Sequence, residues 1–302
     1  MSSLPIHRLF DRALGAHKGE FGHALLIGGS PGMAGSIALA AMAALRGGAG
    51  LVTAAVPASQ QALVASWHPC MMTLGLPESE THQIAADALV PLLQLAAKGR
   101  VVAIGPGMGR TDDSQSVVQA LYQLEHLPMV LDADAIPEGC PKWLTRRTSD
   151  RPVMDRPAAR IWTPHPGEFE RWSGVPRNNR QAQEQAAREL AEMLGVVILL
   201  KGHRSLVTDG NHAEHNPTGC PEMAAGGAGD CLTGLLAALL AQGLPAWDAA
   251  RLGAYLHGLA GQLAARRLGG PSVLATDIIE SLPTAFRQLR SPQDTDASLG
   301  PP

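Results

Sequence analysis

The residues best placed for chemistry lie in one short run, Gly226-Gly227-Ala228-Gly229-Asp230. Asn216-Pro217-Thr218-Gly219 precedes it and the apolar stretch Cys231-Leu232-Thr233-Gly234-Leu235-Leu236 follows. Small residues ahead of a helix leave backbone N–H groups open, and these groups and the helix dipole attract phosphate oxygens. Glycine lets the backbone come close to a ligand. Asp230 falls at the expected helix start, where a carboxylate either caps N–H groups or faces a ligand. The chemistry suggested is the binding of a phosphorylated molecule. Three more clusters share this character: Gly28-Gly29-Ser30-Pro31-Gly32-Met33-Ala34-Gly35, Gly105-Pro106-Gly107-Met108-Gly109 and Pro164-His165-Pro166-Gly167-Glu168. No G-x-x-x-x-G-K-[ST] loop is present, and Arg110 stands where G-x-G-x-x-G needs its last glycine.

Each cluster needs an element to aim it. The pattern predicts strands at His23–Ile27, Leu51–Val56, Arg100–Ile104, Met129–Leu131, Ile161–Thr163 and Val196–Lys201. Helical spacing covers Ala34–Leu45, Asp113–Leu124, Arg180–Leu194, Cys231–Ala241, Ala246–Leu268 and Ala275–Leu289. Ser205–Asp209 and His212–His215 read as a hairpin about Asp209-Gly210. Strands alternating with helices imply βαβ units and a parallel sheet, and ligands of such sheets bind beyond the carboxyl ends of the strands. The glycine clusters fall at those ends. Asp132 and Asp134 follow the strand at Met129–Leu131, spaced to face one side of an extended segment.

Composition excludes several classes. There are 33 glycines and 23 prolines, yet 45% of the residues are apolar, so a core can form. Twenty-four basic residues against 27 acidic ones, a net charge of −3, leave no basic stripe for nucleic acid. The longest apolar runs, Ile37–Leu45 and Leu232–Ala241, fall short of the roughly 20 residues of a membrane span. Cys70, Cys140, Cys220 and Cys231 form no C-x-x-C pair, which reads as free thiols in a reducing compartment. The N-terminus has no apolar signal region. A soluble cytoplasmic protein is expected, with a short leader over 1–16, one domain over 17–290, a surface insertion at Gly139–Arg160 and a disordered tail from Ser291.

In order and combination the motifs resemble the ADP-dependent NAD(P)H-hydrate dehydratases, a branch of the ribokinase-like superfamily. The resemblance rests on His17-Lys18-Gly19 with Gly22-His23, Gly28–Gly35, Ala43–Val52, Gly105–Gly109, Leu131–Ala135, Thr163–Glu168, Leu200–His203 and Asn216–Gly234, nearly the whole chain. It implies an α/β ribokinase-like fold, a central mostly parallel sheet with helices on both faces and no separate lid. It also implies dehydration of hydrated NADH or NADPH driven by ADP or ATP with Mg²⁺. Further implications are a homo-oligomer, with a tetramer suspected, and an epimerase on a separate chain. Metal ligands are not assigned.

The resemblance carries roles to matching positions. Asp230 would be the catalytic base and touch the substrate, with Gly35, Ser36, Gly107 and His165 as further substrate contacts. Only a backbone contact is carried to Ser36, where the family more often has Ala. Lys201, Gly202, His203, Arg204, Ser205, Gly226, Gly227, Ala228 and Gly229 would hold the nucleotide, with Ser205 in place of the usual Thr and Lys201 offsetting phosphate charge. Glu168 either reaches metal-bound water or caps a helix. Asp132 and Asp134 either orient water or ribose or serve structure, and Ile136-Pro137-Glu138 departs from the family's Asn. His68, His82 and His257 are read as structural. With Phe 4, Trp 5 and Tyr 2, both bases are expected on aliphatic and backbone surfaces. Two other readings share the glycine run: a ribokinase-like kinase of a vitamin-precursor alcohol, in which Asn more often replaces His165, and a nucleotide sensor, which needs no Asp230.

Overall fold

The computed structural model describes Leu9 and residues 12–98, 100–139 and 159–290. The expected tail, most of the leader and most of the expected insertion lie outside the described residues. In chain order the elements are β1 (His23–Ile27), α1 (Ala34–Arg46), β2 (Leu51–Pro57), α2 (Gln61–Ala65), β3 (Met72–Leu76), α3 (Leu89–Ala96), β4 (Val101–Ile104), α4 (Asp112–Tyr122), β5 (Met129–Leu131), β6 (Arg160–Trp162), α5 (Pro166–Ser173), α6 (Arg180–Leu194), β7 (Val197–Leu200), β8 (Leu206–Thr208), β9 (Ala213–His215), α7 (Ala228–Ala241), α8 (Ala246–Leu268) and α9 (Ala275–Arg290).

One nine-stranded sheet runs β3-β2-β1-β4-β5-β6-β7-β8-β9. Its pairings are parallel from β3 through β7, and the β8–β9 hairpin adds two antiparallel strands. Side chains alternate along each strand. In β1, Ala24 and Leu26 enter one core and Leu25 and Ile27 the other. The first core includes Ala40 and Ala44 of α1, Leu235 and Leu239 of α7, Leu252 and Leu256 of α8, and Ile278 of α9. The second includes Leu92 of α3, Val118 and Leu121 of α4, Trp172 of α5, and Ala187 and Ala191 of α6. Both faces are therefore covered, as the near-continuous apolar strands require.

Four elements were not legible beforehand: β3, α3, α5 and the five-residue helix α2, which is too short to show a period. Strand β3 is the sheet edge, with Gly75 and an exposed Met72 that blur its pattern. Helix α3 carries Pro91 in its first turn, where the missing N–H has no intrahelical partner to lose. Helix α5 opens at Pro166, inside what reads as a turn. Helix α7 starts at Ala228, three residues before the expected Cys231. No described helix is long and apolar enough to cross a membrane. Cys70, Cys220 and Cys231 are free thiols.

The strand order reverses between β1 and β4, and the loops after these two strands interlock there. Gly29 N donates to Pro106 O at 3.0 Å and Ser30 N to Gly107 O at 2.7 Å. This reversal is where an open sheet leaves a crevice. Helix α7 lies against α1, and a Cβ at Gly234 would overlap the Ala40 carbonyl oxygen. Gly234→Ala should therefore destabilise the protein by about 1–3 kcal/mol through overpacking. Urea denaturation checks this, and an unchanged midpoint would contradict the close α1–α7 contact.

Candidate active site

Strands β5, β6 and β7 end side by side, and the residues that follow them meet the first turn of α7. Asp132, just past β5, is buried. Its Oδ1 accepts from Lys201 Nζ at 2.7 Å and from Thr163 Oγ1 at 2.8 Å, and its Oδ2 accepts from Thr233 Oγ1 at 2.7 Å. Lys201 Nζ also lies 3.7 Å from Glu168 Oε2. Burial opposes the charge on Lys201, but Asp132, Glu168 and Asp230 outweigh it and hold the ammonium above its ordinary value. One cation thus sits among three carboxylates.

Asp230 is the third residue of α7 rather than its cap. The cap position belongs to Gly227, in the left-handed region at φ 87°, where a Cβ would also strike Leu39. No side chain caps this helix. The Gly229 and Asp230 amides donate to no described residue, so they stand open at the positive end of the helix dipole. Burial, followed by the charge of Asp132, pushes the Asp230 carboxyl up to about 6, against the opposing effects of the Ser36 hydroxyl and Lys201. Lys201 Nζ lies 3.4 Å from where a Cβ on Gly229 would stand, so the ammonium is next to the first turn of α7.

On the other side of the crevice, α1 begins without a side-chain cap, with Gly35 and Ser36 in its first turn. A Cβ on Gly107 would crowd Met33 and Ser36, so the β4 loop and the start of α1 touch. The Ser36 hydroxyl also faces Asp230. His165 is the N-cap of α5. Its Nδ1 accepts from Gly167 N at 3.0 Å and Glu168 N at 3.1 Å, while Glu168 Oε2 accepts from His165 N at 2.7 Å. The imidazole remains half exposed, with Nε2 3.2 Å from Glu168 Oε1. Glu168 thus caps the helix and also faces Lys201.

Gly202, His203 and Arg204 form an exposed turn after β7, and Ser205 Oγ donates to Gly202 O at 3.1 Å. Gly226, Gly227 and Ala228 lead into α7 beside Lys201 and Gly229. Asp132 and Asp134 do not share a side, contrary to expectation. A 3₁₀ turn at Ala133–Ala135, with Ala133 at φ 48°, breaks the extended period between them. Asp134 instead accepts from Gly109 N at 2.9 Å and secures the β4 loop.

Sequence reasoning passed over Thr163 and Thr233 as individual site residues. Thr233 follows Asp230 by three residues, a spacing that puts both on one helix face and could have singled it out. The large aromatics are spent elsewhere. Trp162 stacks on Trp172 with centroids 4.6 Å apart, and Tyr122 and Phe169 pack edge-on to this pair in the core. Among the described residues no group of three or more His, Cys, Asp or Glu side chains could hold a metal ion.

Residues 24–284 match the model of the NAD(P)H-hydrate dehydratase family. The bifunctional NAD(P)H-hydrate repair enzyme of Moorella thermoacetica is 41% identical over 292 residues, which cover 96% of this chain and 54% of that protein. That of Coxiella burnetii is 40% identical over 274 residues, covering 90% and 51%. The chain spans about half the length of these curated relatives. The crystal structure of the ADP/ATP-dependent NAD(P)H-hydrate dehydratase from Bacillus subtilis, co-crystallised with ATP and Mg²⁺, superposes with a TM-score of 0.75 at 30% identity. It covers 92% of this chain and 94% of that one. Arabidopsis thaliana ribokinase shares the fold at a TM-score of 0.56 and 13% identity. The architecture is thus ribokinase-like, and the chain belongs to the NAD(P)H-hydrate dehydratase family.

Proposed function

We propose that this chain dehydrates hydrated NADH or NADPH and uses ADP or ATP to do so. The observation that carries the reading is Asp230, a carboxylate with its pKa pushed up to about 6 among open amides of a helix start. Such a group is ionised at neutral pH yet basic enough to take a proton. It would accept the proton of the substrate hydroxyl as that oxygen attacks the terminal phosphoryl group of the nucleotide. The new P–O bond forms while the bond to the AMP or ADP leaving group breaks. Phosphate then departs from the substrate carbon, expelled by the ring-nitrogen lone pair, and the resulting iminium loses a proton from the adjacent ring carbon to solvent, which restores the C=C bond of the dihydropyridine. The Gly229 and Asp230 amides would receive phosphoryl oxygens, and Lys201 would offset their charge. His165, Gly35, Ser36 and Gly107 line the substrate side, while Gly202–Ser205 and Gly226–Ala228 border the nucleotide side.

The residues do not form a protein cage for Mg²⁺. No metal-binding group is present among those described, and both Asp132 oxygens are already engaged. The ion would arrive with the nucleotide phosphates and would offset part of their charge. An epimerase activity supplying the reactive hydrate, cytoplasmic location and homo-oligomerisation belong to the same proposal.

Hydrated NADH supplied with ADP and Mg²⁺ should regain its dihydronicotinamide absorbance, releasing one AMP and one phosphate for each molecule restored. A stable phosphorylated product with no absorbance gain would mark a kinase instead. Asp230→Asn should lower kcat by about 10²–10⁴-fold and leave nucleotide affinity within a few-fold. A wild-type rate would remove the base. In the wild type kcat should fall as pH drops through about 6, where Asp230 gains its proton.

The same carboxyl makes a stability prediction. Its folded pKa lies above its unfolded value, so the folded protein binds the extra proton between about 3.8 and 6. The contribution is present below that window and is lost as pH rises through it. Asp230→Asn should therefore be more stable than wild type at neutral pH by on the order of 2 kcal/mol. The gap should close towards pH 4 in urea denaturation, and a pH-independent gap would contradict this account.

A further inference from the structure

Helix α6 begins with Arg180, whose guanidinium reaches the carboxyl end of β7. Nη1 donates to Lys201 O at 3.0 Å and Nη2 to Leu200 O at 3.2 Å. Nε donates to Glu184 Oε1 at 2.8 Å, one turn along the same helix. The other Glu184 oxygen meets His215 Nε2 at 3.1 Å, at the end of β9. Burial works against ionisation of Glu184, but the bonds from Arg180 and His215 prevail and hold its carboxyl below the ordinary value. The Arg180 charge is thus matched locally, and its fork is committed to two main-chain carbonyls.

The consequence lies in one peptide plane. A trans peptide points its N–H opposite to its C=O. With Lys201 O held towards α6, the Gly202 N–H must point away from α6. That N–H donates to no described residue. Gly202 has φ 142°, and a Cβ there would stand 3.3 Å from Arg180 Nη1. That approach is tight, so the guanidinium and Gly202 pack directly against each other. Lys201 N is fixed independently, donating to Pro164 O at 2.9 Å. The peptide that follows Lys201 is therefore oriented by Arg180.

We propose that Arg180 is a positioning residue for nucleotide binding: it orients the Lys201–Gly202 peptide so that the Gly202 N–H is a ready donor to a nucleoside diphosphate or triphosphate. The inference rests on the nucleotide reading of residues 201–205. Arg180 touches neither reactant; it works through the backbone amide of Gly202, whose peptide carbonyl it holds. Preorganising one such donor matters because the ligand need not pay to order it.

The test measures ADP binding by calorimetry, with the KM of each reactant measured separately. Arg180→Ala should weaken ADP binding about tenfold, the scale of one oriented hydrogen bond to a charged group. The KM of the hydrate should stay unchanged. Arg180→Lys, which keeps the charge but loses the fork, should recover only part of the loss and serves if the alanine variant folds poorly. In the wild type the Gly202 amide resonance should shift when ADP is added, and in the variants the shift should shrink. Because both residues act through one peptide, the Gly202→Ala and Arg180→Ala losses should not add in the double variant. Additive losses, an equal rise in both KM values, or ADP affinity unchanged in the variants would each overturn the assignment. A wild type that binds no ADP would instead remove the nucleotide reading itself.

Discussion

The ion pair between Asp132 and Lys201 is the interaction on which the rest of the site depends. A charge buried alone costs several kcal/mol, so each partner needs the other and further polar contacts. Asp132 takes three donors, from the residue after β7, from the residue after β6 and from α7. Satisfying one carboxylate therefore brings the ends of β5, β6 and β7 together and holds α7 against them. Thr233 belongs to the same helix turn as Asp230, so the bond that completes Asp132 also sets where Asp230 lies.

That arrangement leaves the electrostatics unbalanced. Three carboxylates share one ammonium, and the surplus falls on Asp230, whose ionised form is resisted by burial and by Asp132. The positive ends of α1 and α7 open onto the same crevice, neither capped by a side chain. Negative charge made costly by burial and uncapped helix-start amides are complementary features. An anionic ligand would engage the amides, while the raised carboxyl is suited to accept a proton. The small residues of the helix interface serve the same end. Ala40 and Gly234 let α1 and α7 lie close, which brings their two starts to either side of Asp230.

Much of this was legible along the chain. The positions of every strand but β3, the hairpin about Asp209-Gly210 and the limits of α6 and α8 follow from local periodicity and turn residues, which act over a few neighbours. The clusters at Gly28–Gly35, Gly105–Gly109 and Pro164–Glu168 do follow strands β1, β4 and β6, but Gly226–Gly229 does not, because residues 216–225, with a 3₁₀ turn at Pro221–Met223, separate it from β9. The misreadings also have local causes. Asp132 and Asp134 look paired only if the backbone stays extended, and the 3₁₀ turn between them is set by contacts to the β4 loop. Helix α7 starts earlier than its pattern suggests because Gly226, Gly227 and Gly229 read as loop around Ala228, although Ala228 and Gly229 are already helical.

The sequence alone determined the order of strands and helices, the family motifs and the candidate base, since these depend on residue type and short spacing. Tertiary structure alone decided what each charge meets. Lys201 and Asp132 are 69 positions apart, and Thr233 lies 101 beyond Asp132, yet all three share one buried network. No local pattern encodes that meeting. It follows from strand order and helix docking, which bring distant residues within hydrogen-bond reach, and from the cost of leaving any one of them unpaired.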